Sequence, residues 1–319
     1  VADRLADVDE MVCFLSGGVD SAYLCALTSE QAPGRVTALT VGFEEPRTDE
    51  SAVARRIAEH IGVPHRVLRF DLDSCRRAFD ALAEGADYPF ADPAGVPTLL
   101  AYREARGLAK HALDGTGADT LLGMMPARHQ RIATEHAARL PFGLRRVIAR
   151  LMAPMPILRD YRPLLAFGDP EEVLVRWGGF SRREIERLCG EAVRLDETRF
   201  YRIFRGYPRA AHFERYSALM GNLPDDRIHT AAALTGLKVR FPFFEPRVAA
   251  LIGSLERDHR WLPEEPKRVL RAALSKRIAR PLWDVPKHGF DFPFVALLTH
   301  RDAELVRDYE GTSLDALRA

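Results

Sequence analysis

Apolar and polar positions follow two alternating periods along the first third of the chain. Residues 11–15 form a short apolar run, 36–43 a second, and 65–70 a third with Val67, Leu68 and Phe70. Runs of this length between turn residues predict buried strands. The intervening segments carry helical spacing instead. Residues 21–29 predict a helix, and Asp49 caps another whose apolar side includes Val53, Ile57 and Ile61, with Gly62 as its stop. Further helices are expected over 73–83 and 98–111. Strands alternating with helices predict a parallel sheet covered on both faces. From about Pro126 the strand signal fades and the spacing turns helical, with proline breaks over 154–163 and 242–246. The expected organisation is therefore an α/β core over 1–125 and a mainly helical part over 126–319 that completes the pocket. Residues 144–152 mix arginines with apolar side chains and predict an amphipathic surface helix.

Composition narrows the picture modestly. The 319 residues are 47% hydrophobic and 29% charged, as in an ordinary globular protein, and the formal net charge of +1 argues against a broad nucleic-acid-binding surface. No apolar run approaches bilayer-spanning length, and the charged opening residues lack a signal-peptide core, so a cytoplasmic protein without membrane partners is expected. Cys13, Cys25, Cys75 and Cys189 are scattered with no Cys-x-x-Cys pair, so neither a zinc ribbon nor a disulfide framework is indicated. Lysine is rare: only Lys110, Lys238, Lys267, Lys276 and Lys287 occur among 46 basic residues. A retained lysine is then a better candidate for a role that needs a compact ammonium.

The first chemistry-bearing segment is Ser16-Gly17-Gly18-Val19-Asp20-Ser21, between the first strand and the first helix. Two glycines let the backbone turn sharply and bring its N–H groups close to a ligand. Ser16 and Ser21 add hydroxyls, and the helix that follows points its positive end at the same place. That is an anion cradle suited to nucleotide phosphates. Asp20 would repel a bare phosphate, so it predicts a bridging cation, Mg²⁺. A second segment, Asp114-Gly115-Thr116-Gly117-Ala118-Asp119, again spaces glycines for close backbone approach and ends on a carboxylate.

The wording Ser-Gly-Gly-Val-Asp-Ser resembles the pyrophosphate loop (PP-loop) of the N-type ATP pyrophosphatases, and no Walker sequence is present. Asp114 to Asp119 narrows the resemblance to the asparagine synthetase-like branch, which includes β-lactam synthetase and lasso-peptide cyclases. Three later signatures resemble that branch in order: Arg240-Phe241-Pro242-Phe243, then Lys267-Arg268-Val269-Leu270-Arg271, then Pro286-Lys287-His288-Gly289-Phe290. The resemblance implies a HUP-like, adenine nucleotide α-hydrolase-like core. It further implies ATP and Mg²⁺ as cofactors, Asp20 and Asp119 as magnesium ligands, and Ser16, Gly17, Gly18, Asp20 and Ser21 around the pyrophosphate. Adenine is expected near Phe14, Val41 and Gly115, and catalytic roles at Lys287, Lys267 and Thr116. Thr116 departs from the glutamate or tyrosine of relatives and is a poor general base. A Lys-x-Asp stretch usual in the family is missing between Asp226 and Arg240.

The implied activity is an AMP-forming ligase that adenylates a small-molecule or peptide carboxylate and passes the acyl group to an amine. No glutaminase-sized segment precedes Met11. Three readings stay open: a fragment of a longer protein, a separate glutaminase partner supplying ammonia, or an amine on the substrate with no ammonia at all. A stand-alone ligase of specialised metabolism, with a substrate-carrier protein as a further conceivable partner, is the favoured expectation. An ammonia-using asparagine synthetase-type subunit, a tRNA-modifying PP-loop enzyme and a non-catalytic nucleotide-binding subunit are the alternatives.

Overall fold

The structure is a computed structural model that describes residues 8–42, 49–85, 94–122, 136, 139–152, 186, 190, 202, 206, 226–262 and 265–285. Five strands form one all-parallel sheet: β1 (Met11–Phe14), β2 (Val36–Val41), β3 (His65–Leu68), β4 (His111–Leu113) and β5 (Lys238–Arg240). Their order is β3-β2-β1-β4-β5. The chain thus builds outward from β1 in one direction, then returns to build outward in the other. The carboxyl ends of β1 and β4 flank the point where that direction reverses, which is where open parallel sheets leave a crevice for ligands.

Helices cover both faces. On one lie α1 (Val19–Gln31) and α2 (Ser51–Ile61); on the other α3 (Leu72–Gly85) and α4 (Gly95–Leu108). The short α5 (Ala118–Leu122) follows β4. Leu24, Cys25, Ile57 and Ala58 pack with Met11 and Cys13 in one core cluster, whereas Leu82, Leu99, Tyr102 and Ala105 pack with Val12 and Leu39 in another. The alternation of strand side chains between the two clusters is the period of two expected for a sheet buried on both sides. Helix α2 shows why its boundaries fall where they do. Asp49 accepts the Ser51 N–H (3.0 Å) and its hydroxyl (2.9 Å) at one end, and Gly62 at φ 69° stops the other.

The expected α/β class is found, with three differences in detail. Helix α1 begins at Val19 rather than at residue 21, which puts Asp20 and Ser21 in its first turn. The helix expected over 98–111 is α4 and ends at Leu108; Ala109 is extended and His111 opens β4. Helix α4 starts early because Pro97 falls in its first turn, where a missing N–H costs nothing. The loss of strands after Pro126 is corrected by β5, which pairs with β4. Both overlooked strands have only three residues, too short for periodicity to register.

By compactness the chain divides into two units, 1–122 with 224–301 and 123–223 with 302–319. Beyond β5 the first unit continues through α8 (Pro246–Ser254), α9 (Arg257–Arg260) and α10 (Arg268–Ser275), after α7 (Asp226–Thr235) has packed Ile228 and Ala231 into the second cluster. Leu274, Ile278 and Trp283 join the α1–α2 cluster, so α10 is bound to that face of the sheet. Trp283 donates its indole N–H to the Ile278 carbonyl at 3.0 Å, and Arg271 stacks over its ring while pairing with Asp284. In the second unit the described helix is α6 (Phe142–Leu151). It is a helix, as the spacing predicted, but Arg145 is buried while Leu144, Val147 and Leu151 are exposed. Among the described residues no helix is long and apolar enough to cross a membrane.

Candidate active site

Three segments meet at the carboxyl edge of β1 and β4. The first is the loop 15–18 running into α1. Ser21 turns its hydroxyl back into the loop, accepting the Ser16 N–H at 2.9 Å and lying 2.9 Å from the Ser16 hydroxyl. Ser16 in turn accepts the Gly18 N–H at 3.1 Å. The two serines therefore brace the turn, in which Gly18 takes an ordinary extended backbone (φ −79°, ψ 152°) rather than one reserved for glycine. Gly17 donates its N–H to a carboxylate oxygen of Glu50 at 3.0 Å. An anion thus already engages this loop, supplied from the residue before α2. A Cβ at Gly17 would come within 3.3 Å of Val53 and 3.4 Å of Glu50, so α2 sits directly against the turn.

The second segment is the loop after β4. Asp114 is anchored to the sheet through its N–H, which donates to the Arg240 carbonyl at 3.0 Å. One of its carboxylate oxygens accepts both the N–H (2.9 Å) and the hydroxyl (2.7 Å) of Thr116. The other accepts the Tyr102 hydroxyl at 3.2 Å. With its proton directed to Asp114, the Thr116 hydroxyl closes a local turn. Gly115 lies where an added Cβ would be 3.5 Å from the Ser21 nitrogen, bringing this loop against the start of α1. Gly117 has φ +99°, and a Cβ there would meet the Phe244 ring at 3.0 to 3.1 Å. Gly117→Ala is accordingly expected to cost about 1–3 kcal/mol, from the left-handed backbone together with overpacking. An unchanged denaturant midpoint would contradict that close approach.

The third segment is the start of α10. Lys267 is the sole non-glycine residue with positive φ (58°) among the described residues, and it is the N-cap of α10. A side chain in that backbone region costs roughly 1 kcal/mol, which a site can sustain when surrounding contacts hold it. Its ammonium forms ion pairs with both Asp20 and Asp119 while only 8% of the residue is exposed. Burial alone would lower the lysine's proton affinity, but the charges of Asp20 and Asp119 and their hydrogen bonds outweigh it and raise its pKa. Asp20 lies in the first turn of α1 and Asp119 in that of α5, where the helix dipoles also favour negative charge. Beneath them Ala118, Leu122, Phe243, Ile252 and Leu270 form a third core cluster that ties α5, the 3₁₀ turn Pro242–Phe244 and α10 together.

The structure brings Ser16, Gly17, Gly18, Asp20, Ser21, Gly115, Thr116, Asp119 and Lys267 into this one region. Phe14 and Val41 stand at the carboxyl ends of β1 and β2, partly buried against the second core cluster. The Phe14 ring stacks on Tyr102 with centroids 5.2 Å apart. Lys287 lies outside the described residues. Sequence reasoning missed Glu50, although an acidic residue in the loop after β2 was a signal available to it. It also missed the Lys267 contact with both aspartates, which no local pattern encodes.

The residues fit the implied cation. Two hard carboxylates from separate helices converge on a single positive charge, the donor set that an oxygen-seeking divalent ion uses. Among the described residues, Cys13 and Cys75 are unsuited to thiol chemistry. The Cys13 thiol is pushed well above its ordinary pKa, first by its hydrogen bond with Cys25 and then by burial. Burial raises Cys75 to about 11. Buried thiols of that kind are inert.

A protein of Mycobacterium tuberculosis assigned as a glutamine-hydrolysing asparagine synthetase is 30% identical over 294 residues, covering 88% of this chain and 44% of that protein. Asparagine synthetase 1 of Bacillus subtilis is 30% identical over 143 residues, 45% of this chain and 22% of its own length. The chain thus spans less than half the length of these relatives. A 7-cyano-7-deazaguanine synthase of Xanthomonas campestris is 41% identical over 87 residues, 27% of this chain and 38% of that protein. The asparagine synthase profile matches residues 1–313, nearly the whole chain. The chain belongs to the asparagine synthase family.

Proposed function

We propose that this protein is an ATP-dependent amide-forming ligase. A substrate carboxylate attacks the α-phosphorus of ATP, releasing pyrophosphate and leaving an acyl-adenylate, and an amine then displaces AMP. The observation that carries the reading is the meeting of Asp20 and Asp119 on one cation beside a loop that already holds a carboxylate. A bound Mg²⁺ would offset the charge of the polyphosphate there. Ser16, Gly17, Gly18 and Ser21 are assigned to the departing pyrophosphate, with the α1 dipole adding to the attraction. Lys267 reaches the same region from α10 and supplies a positive charge for phosphate oxygens. Lys287 is assigned to the oxyanion that forms when the amine attacks. Thr116 is best read as a turn residue that shapes the loop, because its hydroxyl is bonded to Asp114. The proton of the attacking amine then goes to another acceptor, either on the substrate or in solvent.

Specialised metabolism, with a substrate amine rather than ammonia, remains the preferred setting, because Thr116 replaces the side chain found at this point in asparagine-forming relatives. A second reading has support of its own. The two asparagine synthetases above are matched by a chain that spans less than half of either, so an ammonia-using synthetase portion is the competing assignment. Incubation with ATP, Mg²⁺ and a panel of carboxylic acids should release AMP and pyrophosphate, and ADP with phosphate would overturn the assignment. Adding ammonia or a panel of amines to the productive acid separates the two readings. Amide formed with ammonia and aspartate alone would favour the second.

A further inference from the structure

We propose that Lys267 keeps the metal site closed until nucleotide arrives, so that the divalent cation and ATP enter together and Mg²⁺ alone does not bind. The proposal rests on reading Asp20 and Asp119 as the metal ligands. Both carboxylates are engaged by one ammonium, and that ammonium is held from a distant part of the chain. The side chains of Lys267 and Asp20 are 10% and 13% exposed, so little water competes for either.

Lys267 is fixed at its base as well as its tip. The preceding residue, Pro266, bridges to Trp261, and Leu270 and Leu274 bury the helix that follows. Its left-handed backbone is the strained feature that such anchoring sustains. A surface lysine that happened to find two aspartates would need none of this.

The electrostatic consequence decides the binding order. Lys267 is the buried cation that both carboxylates share. A divalent ion that took both carboxylates would leave the ammonium buried without its partners, which is strongly unfavourable. Polyphosphate oxygens remove that penalty by giving the ammonium a new anion, within the region braced by Ser16 and Ser21. The lysine exchanges carboxylate for phosphate, and the carboxylates become available in the same event. No covalent bond changes.

The test uses the full chain and Mn²⁺ as a spin probe, read by electron paramagnetic resonance without nucleotide. Wild type should take up no Mn²⁺, whereas Lys267→Met should bind it at least about tenfold more tightly. Equal uptake by the two proteins would overturn the closed-site proposal. Failure of Lys267→Met to bind Mn²⁺ would instead overturn the reading of Asp20 and Asp119 as metal ligands. Because that variant removes an ammonium shared by two carboxylates, a second arm uses wild type alone and is independent of the variant's folding. The melting temperature should be unmoved by Mg²⁺ alone and raised by Mg²⁺ with a non-hydrolysable ATP analogue, since only a bound ligand stabilises. A rise with Mg²⁺ alone would refute the proposal.

Discussion

Asp20→Asn and Asp119→Asn are each expected to lower pyrophosphate release at least about a hundredfold, since each removes a hard anionic donor from the charge-neutralising centre. The two variants should differ in stability. Asp20 is 13% exposed, and its loss removes one of two charged hydrogen-bond partners of the buried Lys267 ammonium, a cost of about 1.5–3 kcal/mol. Asp119 is 35% exposed, so solvent screens its pair with Lys267 and its loss should cost less. Turnover at saturating Mg²⁺ and thermal melting measured on the same preparations separate the two effects. Near wild-type turnover in either variant would remove that aspartate from the metal site. Equal destabilisation by both would mean that burial does not govern the Lys267 pairs.

This coupling of stability to the site explains what could be read in the sequence and what could not. The Ser16–Ser21 motif and the Asp114–Asp119 motif each lie within a single turn of chain. Their backbone requirements are therefore written locally in glycines and short polar side chains. The long apolar elements were equally legible: β1, β2, β3, α1, α2 and α3 all fall within two residues of the expected positions. Strands β4 and β5 were not, because three residues carry no periodicity, and Lys238-Val239-Arg240, with Lys238 exposed and the other two half-buried, is recognisable as a strand only through its pairing with His111–Leu113. The same limit hid Glu50, whose carboxylate reaches Gly17 across 33 residues, and the Lys267 contact with Asp20 across 247. Charge partners at such separation are a product of the fold. The motifs nominate residues for the chemistry, and the topology says which of them pair with one another.

Asp114 illustrates how that distinction changes a functional assignment. Read in sequence, Thr116 stood where relatives keep a side chain able to act in catalysis. In the fold its hydroxyl and N–H both converge on Asp114, and Tyr102 holds the opposite carboxylate oxygen while stacking on Phe14. The Asp114 carboxylate therefore links the loop after β4 to α4 and, through that ring stack, to the end of β1. A threonine there favours a rigid loop over a proton acceptor, which moves the demand for transition-state stabilisation onto positive charge elsewhere in the site.

Lys287 is where that demand is expected to fall. By family resemblance Lys287 is expected to act on the negative charge that develops during acyl transfer, whereas Lys267, paired with Asp20 and Asp119, is proposed to pass to phosphate. The chain leading to it is anchored: the Trp283 indole bonds Ile278, and Asp284 pairs with Arg271 of α10. Losing one donor aimed at a developing oxyanion costs roughly 3–4 kcal/mol, or about a hundredfold to a thousandfold in rate. Lys287→Ala should therefore bind ATP almost normally yet form amide at least about a hundredfold more slowly. Arginine at this position should rescue poorly, because a planar fork directs its donors differently from a compact ammonium. Calorimetry for ATP binding and single-turnover product formation measure the two halves of the prediction. Amide formation at the wild-type rate in the alanine variant would show that Lys287 carries no part of the acyl-transfer step, and the positive charge would have to be sought at Lys267 instead.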